Sequence, residues 1–514
     1  MAKKNNSDIS EREKNIFKAL DVSNSNQVSA RVLIDRLEQM GILQDDRRIA
    51  PVIDALNNIS SRASIDIQEF CRIIRPSIDI VERAVQGNMI IPDFQSFTKD
   101  IANIYEKSKK NRSGSVADYI PQLGRVEPEQ FAVSVCTVDG QRYSIGDHEV
   151  DFCVQSCSKP ITYCLALEEH GEDIVHQYIG REPSGRGFNE LTLNHEGKPH
   201  NPMINSGAIM SCALLRPDID VADRFDYVME KWKALSGDRK VGFNNAVYLS
   251  ERMTADRNFA LGYYMRENKA FPEWADMIQT LEFYFQVCSI DVNADKMSVI
   301  AGTLANGGIC PVTNERVFAT RTVQNCLSLM YSCGMYDFSG EFAFTIGLPA
   351  KSGVAGALLI VIPNVMGICT WSPRLDKLGN SVRGIDFCQE LVQTFNFHNY
   401  DNLTGLSEKK DPRNSYLQMF SDQVSQLMWA ASKGDLSAIL RLESQGVDIS
   451  SADYDGRTPL HLAASEGHLL VVRFFVQREI PLSPKDRWGG TPLMDAKRHK
   501  HKEVVALLQG HGAV

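Results

Sequence analysis

Gln155-Ser156-Cys157-Ser158-Lys159-Pro160 is the stretch on which the reading of this chain turns. A helical pattern begins just after Ser156, and proline is tolerated in a first helical turn, as at Pro160. Residues i and i+3 share a helix face, so the Lys159 amine can reach the Ser156 hydroxyl. A serine hydroxyl is a weak nucleophile and needs a base. A buried lysine with a lowered pKa can supply one at neutral pH. The helix start also offers backbone N–H groups to a developing oxyanion. S-x-x-K alone is common by chance, so a second element has to support it.

Lys351-Ser352-Gly353 is that element, directly before the apolar run that starts at Val354. S-x-x-K early in the chain with K-T-G on a late strand is the pairing of β-lactamases and penicillin-binding proteins. The sequence here is the Thr-to-Ser variant. Gly353 is expected to let a substrate approach the backbone. The Val354 N–H is expected to be an oxyanion donor beside that of Ser156.

Outward from these motifs, residues 116–400 mix strands and helices. Residues 131–145 read as a hairpin around Asp139-Gly140, a favoured two-residue turn. Residues 161–171 read as a helix closed by Gly171, and 296–304 as a helix ended by Asn306-Gly307-Gly308. Pro363, Asn364 and Gly367 split the longest apolar run, 354–371, into two strands and a turn, not a membrane span. Strands at both ends with helices between predict an α+β domain whose sheet joins the two ends.

Residues 10–80 read as a helical pair around EF-hand-like loops. Counted from Asp21, position 6 is Asn26 and position 12 is Val32; counted from Asn58, positions 5 and 6 are Arg62 and Ala63. Neither loop has what calcium requires, so the module is expected to be structural, with no metal. Residues 81–115 read as a helical linker and 401–420 as a second linker. From 421 to 514 the chain repeats. Thr458-Pro459-Leu460-His461-Leu462-Ala463 returns as Thr491-Pro492-Leu493-Met494-Asp495-Ala496, and Ala431-Ser432-Lys433-Gly434-Asp435 as Ala464-Ser465-Glu466-Gly467-His468. A period of about 33 residues is that of ankyrin repeats.

The motifs together resemble the glutaminases of the serine β-lactamase-like superfamily. They are Gln155 to Pro160, His200-Asn201-Pro202-Met203-Ile204-Asn205, Ser250-Glu251 with Asp256-Arg257-Asn258, Leu281-Glu282-Phe283-Tyr284, Ser332-Cys333-Gly334-Met335-Tyr336 and Leu348-Pro349-Ala350-Lys351. The helical start and ankyrin end resemble the animal kidney- and liver-type members. The resemblance implies an α+β, β-lactamase-like catalytic domain that hydrolyses L-glutamine without a cofactor. It implies Ser156 as nucleophile, Lys159 as base, Tyr336 as proton relay and Tyr119 nearby. Substrate contacts are implied at Gln155, Ser156, Asn205, Glu251, Asn258, Tyr284, Tyr336 and Val354. The chemistry is consistent: a carboxylate, Glu251, suits the α-ammonium, and the neutral donors Asn205, Asn258 and Tyr284 suit the α-carboxylate. Without the resemblance, Tyr284 reads as core, the two asparagines as caps and Glu251 as a surface charge. His200 reads as a turn residue. A β-lactamase-like acyl transferase and an inactive ankyrin scaffold remain the alternatives.

Glu190 and Thr192 depart from the family pattern, which has basic and aromatic residues there. Ser158 and Ser206 depart too, at positions with no chemical role. The loop 180–199 resembles an activation loop at a tetramer interface, so phosphate activation and tetramer assembly are both in question. The net charge of −9, with 43% hydrophobic residues, points away from nucleic acid and anionic membranes as partners and toward a small molecule. The ankyrin repeats are expected to contact another protein. The 12 cysteines are too dispersed for a disulfide framework and read as reduced, buried thiols. The family implies a mitochondrial location. The first 14 residues show neither a secretory signal nor a good presequence, so a cytoplasmic location is the alternative.

Overall fold

The computed structural model describes residues 9–21, 25–59, 64–185, 187–401, 403, 409–414, 416–444 and 447–513. The chain divides into two compact units, 1–412 and 413–514.

A five-stranded antiparallel sheet organises the first unit. Across it run Arg142–Gly146, Ala132–Thr137, Met366–Trp371, Ala357–Ile362 and Ala350–Ser352. The two ends of the domain therefore do share one sheet. Ala132–Thr137, Ala357–Ile362 and Met366–Trp371 are buried at every position. Both faces are covered, which is why the last two strands read as continuous apolar runs.

Helix Ala294–Ala305 lies across one face. Its approach is set by glycine: a Cβ at Gly367 would stand 2.1 Å from the Gly302 nitrogen. A helical lobe continues outward from this face, and its large core includes Trp232, Phe283, Phe285 and Trp371. On the other face pack helices Phe94–Ser108 and Val382–Thr394. Phe94, Phe97, Ile101 and Ile104 join Phe131, Val133, Phe387 and Phe395 in a second core. The segment read as a helical linker is helical, and its apolar residues, recurring at helical spacing, also pack on the sheet. Even the basic stretch after it is anchored, by Ser115 pairing with Leu375.

The expected hairpin forms, but its connection is a three-residue loop, 138–140. The Gly140 N–H bonds Thr137 O at 2.9 Å, with Gly140 at φ 87°. A left-handed glycine in that position is how three-residue hairpins close. The loop is seated on the N-terminal module. Gln141 Nε2 donates to Met40 O and Ile91 O, both at 3.0 Å, and the Arg142 N–H donates to Gly41 O at 2.8 Å. The module itself has an EF-hand-pair feature, Val28–Ser29 antiparallel to Ser64–Ile65. The Asp21 carboxylate accepts the backbone N–H groups of Ser25 and Asn26 at 3.0 and 2.7 Å. Parts of both loops, 22–24 and 60–63, lie outside the described residues.

The second unit is three helix pairs. Pro459–Ser465 with Leu469–Gln477 and Pro492–Arg498 with Lys502–Gly510 follow Tyr416–Lys433 with Leu436–Ser444. Periodic histidines link them: His468 Nε2 contacts Ser432 O and His501 Nε2 contacts Ser465 O, each at 2.9 Å. All 12 cysteines are free and buried. No described helix is long and apolar enough to cross a membrane.

Candidate active site

The nucleophile turn is built by a short strand and a strained residue. Phe152–Cys153 pairs with Ile290–Val292, and Gln155 follows at φ 47°. A non-glycine residue there costs about 1–3 kcal/mol, which the surrounding structure has to offset. A 3-10 turn, Gln155–Ser158, then leads into helix Lys159–Tyr178, with Pro160 in its first turn. Gly171, at φ 76° and ψ 167°, is non-helical and closes the first helical stretch as expected; a second begins directly after it.

Strand Ala350–Ser352 arrives alongside. A Cβ at Gly353 would lie 3.0 Å from Val154 O and 3.1 Å from Cys157 Sγ. Glycine here makes room for the nucleophile turn. Among the described residues, the backbone N–H groups of Ser156 and Val354 have no acceptor within the protein.

Behind Ser156 lie two buried lysines. Burial, and secondly the charge of Lys351, lower the Lys159 pKa to about 7. The Lys159 amine donates to Asn205 Oδ1 at 2.7 Å, so in this state its hydrogen bond is to the asparagine and not to Ser156. Asn205 Nδ2 in turn donates to Asn258 Oδ1 at 3.0 Å, and Tyr284 OH approaches Asn205 Oδ1 at 3.4 Å. Lys351 donates to Ser352 O at 2.8 Å and sits 4.6 Å over the Tyr336 ring. Burial brings its pKa down to about 8.

Tyr336 is itself left-handed, at φ 53°. Its hydroxyl is buried with no hydrogen bond among the described residues. Burial raises its pKa, and the Ser156 hydroxyl beside it offsets part of that rise.

In front of Ser156 is a cavity of about 350 Å³. Gln155, Ser156, Asn205, Glu251, Asn258, Tyr284 and Val354 line it, together with Tyr119. Lys159 and Tyr336 stand behind that wall. Asn205 is the first residue of helix Asn205–Leu214, Asn258 lies in Asp256–Glu267, Tyr284 in Met277–Cys288 and Glu251 in Asn245–Met253. Four separate helices thus converge on one space.

Glu251 is only 7% exposed, so the surface-charge reading fails. It accepts from the Tyr119 hydroxyl, and from Gln155 Nε2 at 3.1 Å. Burial raises its pKa, and these two donors work against the rise. The Tyr119 hydroxyl thus meets the Glu251 carboxylate and also lies 3.3 Å from Gln155 Oε1. Although about half of Tyr119 is exposed, its hydroxyl is turned onto Glu251.

Phe188, Arg257 and Cys288 also line the cavity, and sequence reasoning passed over all three as site residues. Phe188 packs on Tyr336, ring centroids 4.8 Å apart, and lies under the Lys159 amine at 5.9 Å. Its place in the 180–199 loop was the available signal; for Cys288 there was none. His200 does not line the cavity. Tyr336 lines another cavity, of about 420 Å³, which is lined by neither Ser156 nor Glu251. Among the described residues no His/Cys/Asp/Glu cluster could hold a metal ion.

A buried serine with a lysine of lowered pKa, on this α+β frame, defines the class. The family profile described as glutaminase matches residues 114–400. Profiles for an EF-hand domain and for ankyrin repeats in three copies match 12–92 and 427–514. Putative glutaminase 2 of Caenorhabditis elegans is 47% identical over 463 residues, covering 87% of this chain and 76% of the worm protein. The liver-isoform mitochondrial glutaminase of Rattus norvegicus is 47% identical over 431 residues, covering 83% and 72%. Among solved structures, a probable glutaminase, ybaS, matches with TM-score 0.56 and 33% identity over 58% of this chain and 96% of that one. The chain belongs to the glutaminase family.

Proposed function

We propose that this enzyme hydrolyses L-glutamine to L-glutamate and ammonia through an ester on Ser156. The observation that carries the reading is the pairing in one cavity of Ser156 with a buried carboxylate, Glu251. Both line the same space, which suits a substrate that carries a side-chain amide and an α-ammonium.

Ser156 Oγ attacks the side-chain carbonyl carbon while its proton passes to the neutral Lys159 amine, with Tyr336 between them. The oxyanion forms against the N–H groups of Ser156 and Val354, donors aimed where charge develops. The C–N bond then breaks, and ammonia leaves with the proton that Lys159 held. Water enters, is deprotonated by the same amine, attacks the ester and frees glutamate and Ser156. Glu251, oriented by Tyr119 and Gln155, holds the α-ammonium. Asn205, Asn258 and Tyr284 hold the α-carboxylate, and Asn205 also steadies Lys159. No cofactor is needed, because every proton has a protein carrier.

Replacement of Ser156 by Ala tests this. Ammonia release from glutamine is expected to fall by at least about 10³-fold, and undiminished release rejects the mechanism. We further propose a mitochondrial location, supported by the relatives of that name, and a homotetramer. Thr192 covers less apolar area than an aromatic at that position, a loss on the order of 1–2 kcal/mol per contact. Tetramer formation is therefore expected to be weak; mass in solution against phosphate concentration measures it.

A further inference from the structure

The turn between the last two helices reads Lys497-Arg498-His499-Lys500-His501-Lys502. The two preceding repeats provide an internal control for it. At the same phase they read Ala431-Ser432-Lys433-Gly434-Asp435-Leu436 and Ala464-Ser465-Glu466-Gly467-His468-Leu469. The architecture of the turn is shared, but its charge is not. His501 keeps the structural bond that His468 makes one repeat earlier. The four Lys and Arg residues are additions.

Two of those additions break local rules. Gly434 and Gly467 stand at φ 69° and 77°, and Lys500 occupies the same place at φ 64°. Only glycine takes that conformation without a steric penalty. Lys502 opens helix Lys502–Gly510, where the helix dipole repels a cation. A turn that only had to connect two helices had a better solution in the repeat before it. Glu503 in the same first turn offsets part of the cost at Lys502, but nothing local offsets the left-handed Lys500, and rule-breaking of this kind points to function.

The charges are also spare. Lys497, Arg498, Lys500 and Lys502 are exposed, and among the described residues none of the three lysines makes an ion pair. Arg498 approaches Asp495 at 3.5 Å, but Arg457 already holds that carboxylate at 2.7 Å. Met494, three and four residues before Lys497 and Arg498 on helix Pro492–Arg498, shares their face and is 50% exposed.

We propose that this basic turn docks the protein onto an anionic phospholipid surface, its cations on headgroup phosphates and Met494 at the acyl boundary. Lysines dominate it, and these are point charges suited to a diffuse field of phosphates, not forks suited to one directional acceptor. A bilayer also accepts the apolar Met494, which an acidic protein surface does not. The net charge of −9, read above as excluding membranes, does not oppose this. At physiological salt only charges within about 8 Å of the surface count.

The test is co-sedimentation of the full chain with vesicles of phosphatidylcholine alone and of phosphatidylcholine with 30% phosphatidylglycerol. Four basic residues are expected to give about a 10²–10³-fold preference for the anionic vesicles at low salt, lost as salt rises. The variant K497Q/K500G/K502Q is expected to lose that preference while releasing ammonia from glutamine at the unaltered rate. K500G alone is expected to raise the unfolding midpoint of the repeats by about 4–8 °C while weakening binding. Equal binding to both vesicles, undiminished binding by the triple variant, or no gain in midpoint for K500G overturns the proposal. So does binding of polyglutamate without sedimentation on vesicles, which assigns the turn to an acidic protein.

Discussion

Replacement of Glu251 by Gln separates recognition of glutamine from the chemistry done to it. The carboxylate is 7% exposed and already accepts from Tyr119 and Gln155, so an incoming α-ammonium completes its shell in a site with little water. A hydrogen bond to a charged partner contributes about 1.5–3 kcal/mol, roughly 10- to 150-fold. The kcat/KM for glutamine is therefore expected to fall by that factor in Glu251→Gln. The control substrate is 4-carbamoylbutanoate, which is glutamine without its amino group. It never engages Glu251, so its turnover is expected to be nearly unchanged, and the preference for glutamine collapses. Stability moves the other way. Burial raises the Glu251 pKa, so the folded state disfavours the charged form, and that penalty is present at neutral pH and fades as pH falls through the raised pKa. A neutral glutamine removes it, so the unfolding midpoint is expected to be no lower than in the unaltered protein. Ammonia release against concentration of both substrates, with thermal unfolding beside it, reads all three outcomes. An equal loss on the two substrates refutes the assignment of Glu251 to the ammonium.

The remaining expectations concern the base, the sheet and the repeats. Lys159 acts when neutral, so activity is expected to rise with pH through about 7, its lowered pKa. Lys351→Met removes the second cause of that lowering, so the acid limb of kcat/KM moves to higher pH; an unmoved limb removes Lys351 from the electrostatics. Gly367→Ala puts a methyl 2.1 Å from the Gly302 nitrogen and is expected to destabilise the first unit by about 1–3 kcal/mol or more, read by denaturant unfolding. His461 is held neutral, its Nδ1 accepting the Thr458 N–H at 3.0 Å while burial lowers its pKa from 6.5. The unfolded chain therefore takes up the proton first. The stability it contributes to the repeats is full above pH 6.5 and is lost as pH falls below it. A flat midpoint between pH 7.5 and 5.5 in a scan of the full chain counts against that account.

Local motifs were legible wherever the physics was local. Ser156 to Pro160, the glycine-punctuated strands and the 33-residue repeat each carry their signal within a few residues. Phe94, Phe97, Ile101 and Ile104 were equally local and the helix was legible, but its docking on the sheet was not. The Asp139-Gly140 hairpin was read one residue too short, because its bulge depends on Gly140, whose left-handed φ composition does not display.

What the sequence determined by itself is therefore the inventory: an S-x-x-K nucleophile before a helix, a late Lys351-Ser352-Gly353 strand, and the helical and ankyrin flanks. What only the tertiary structure decided is which groups share a space. Glu251 became a buried partner of Tyr119, which is 132 residues away along the chain. Gly353 made room for Val154 and Cys157. Lys159 acquired its lowered pKa from burial and from Lys351, far along the chain. Charge–charge and desolvation effects depend on distance through the folded protein, and spacing along the chain does not report that distance.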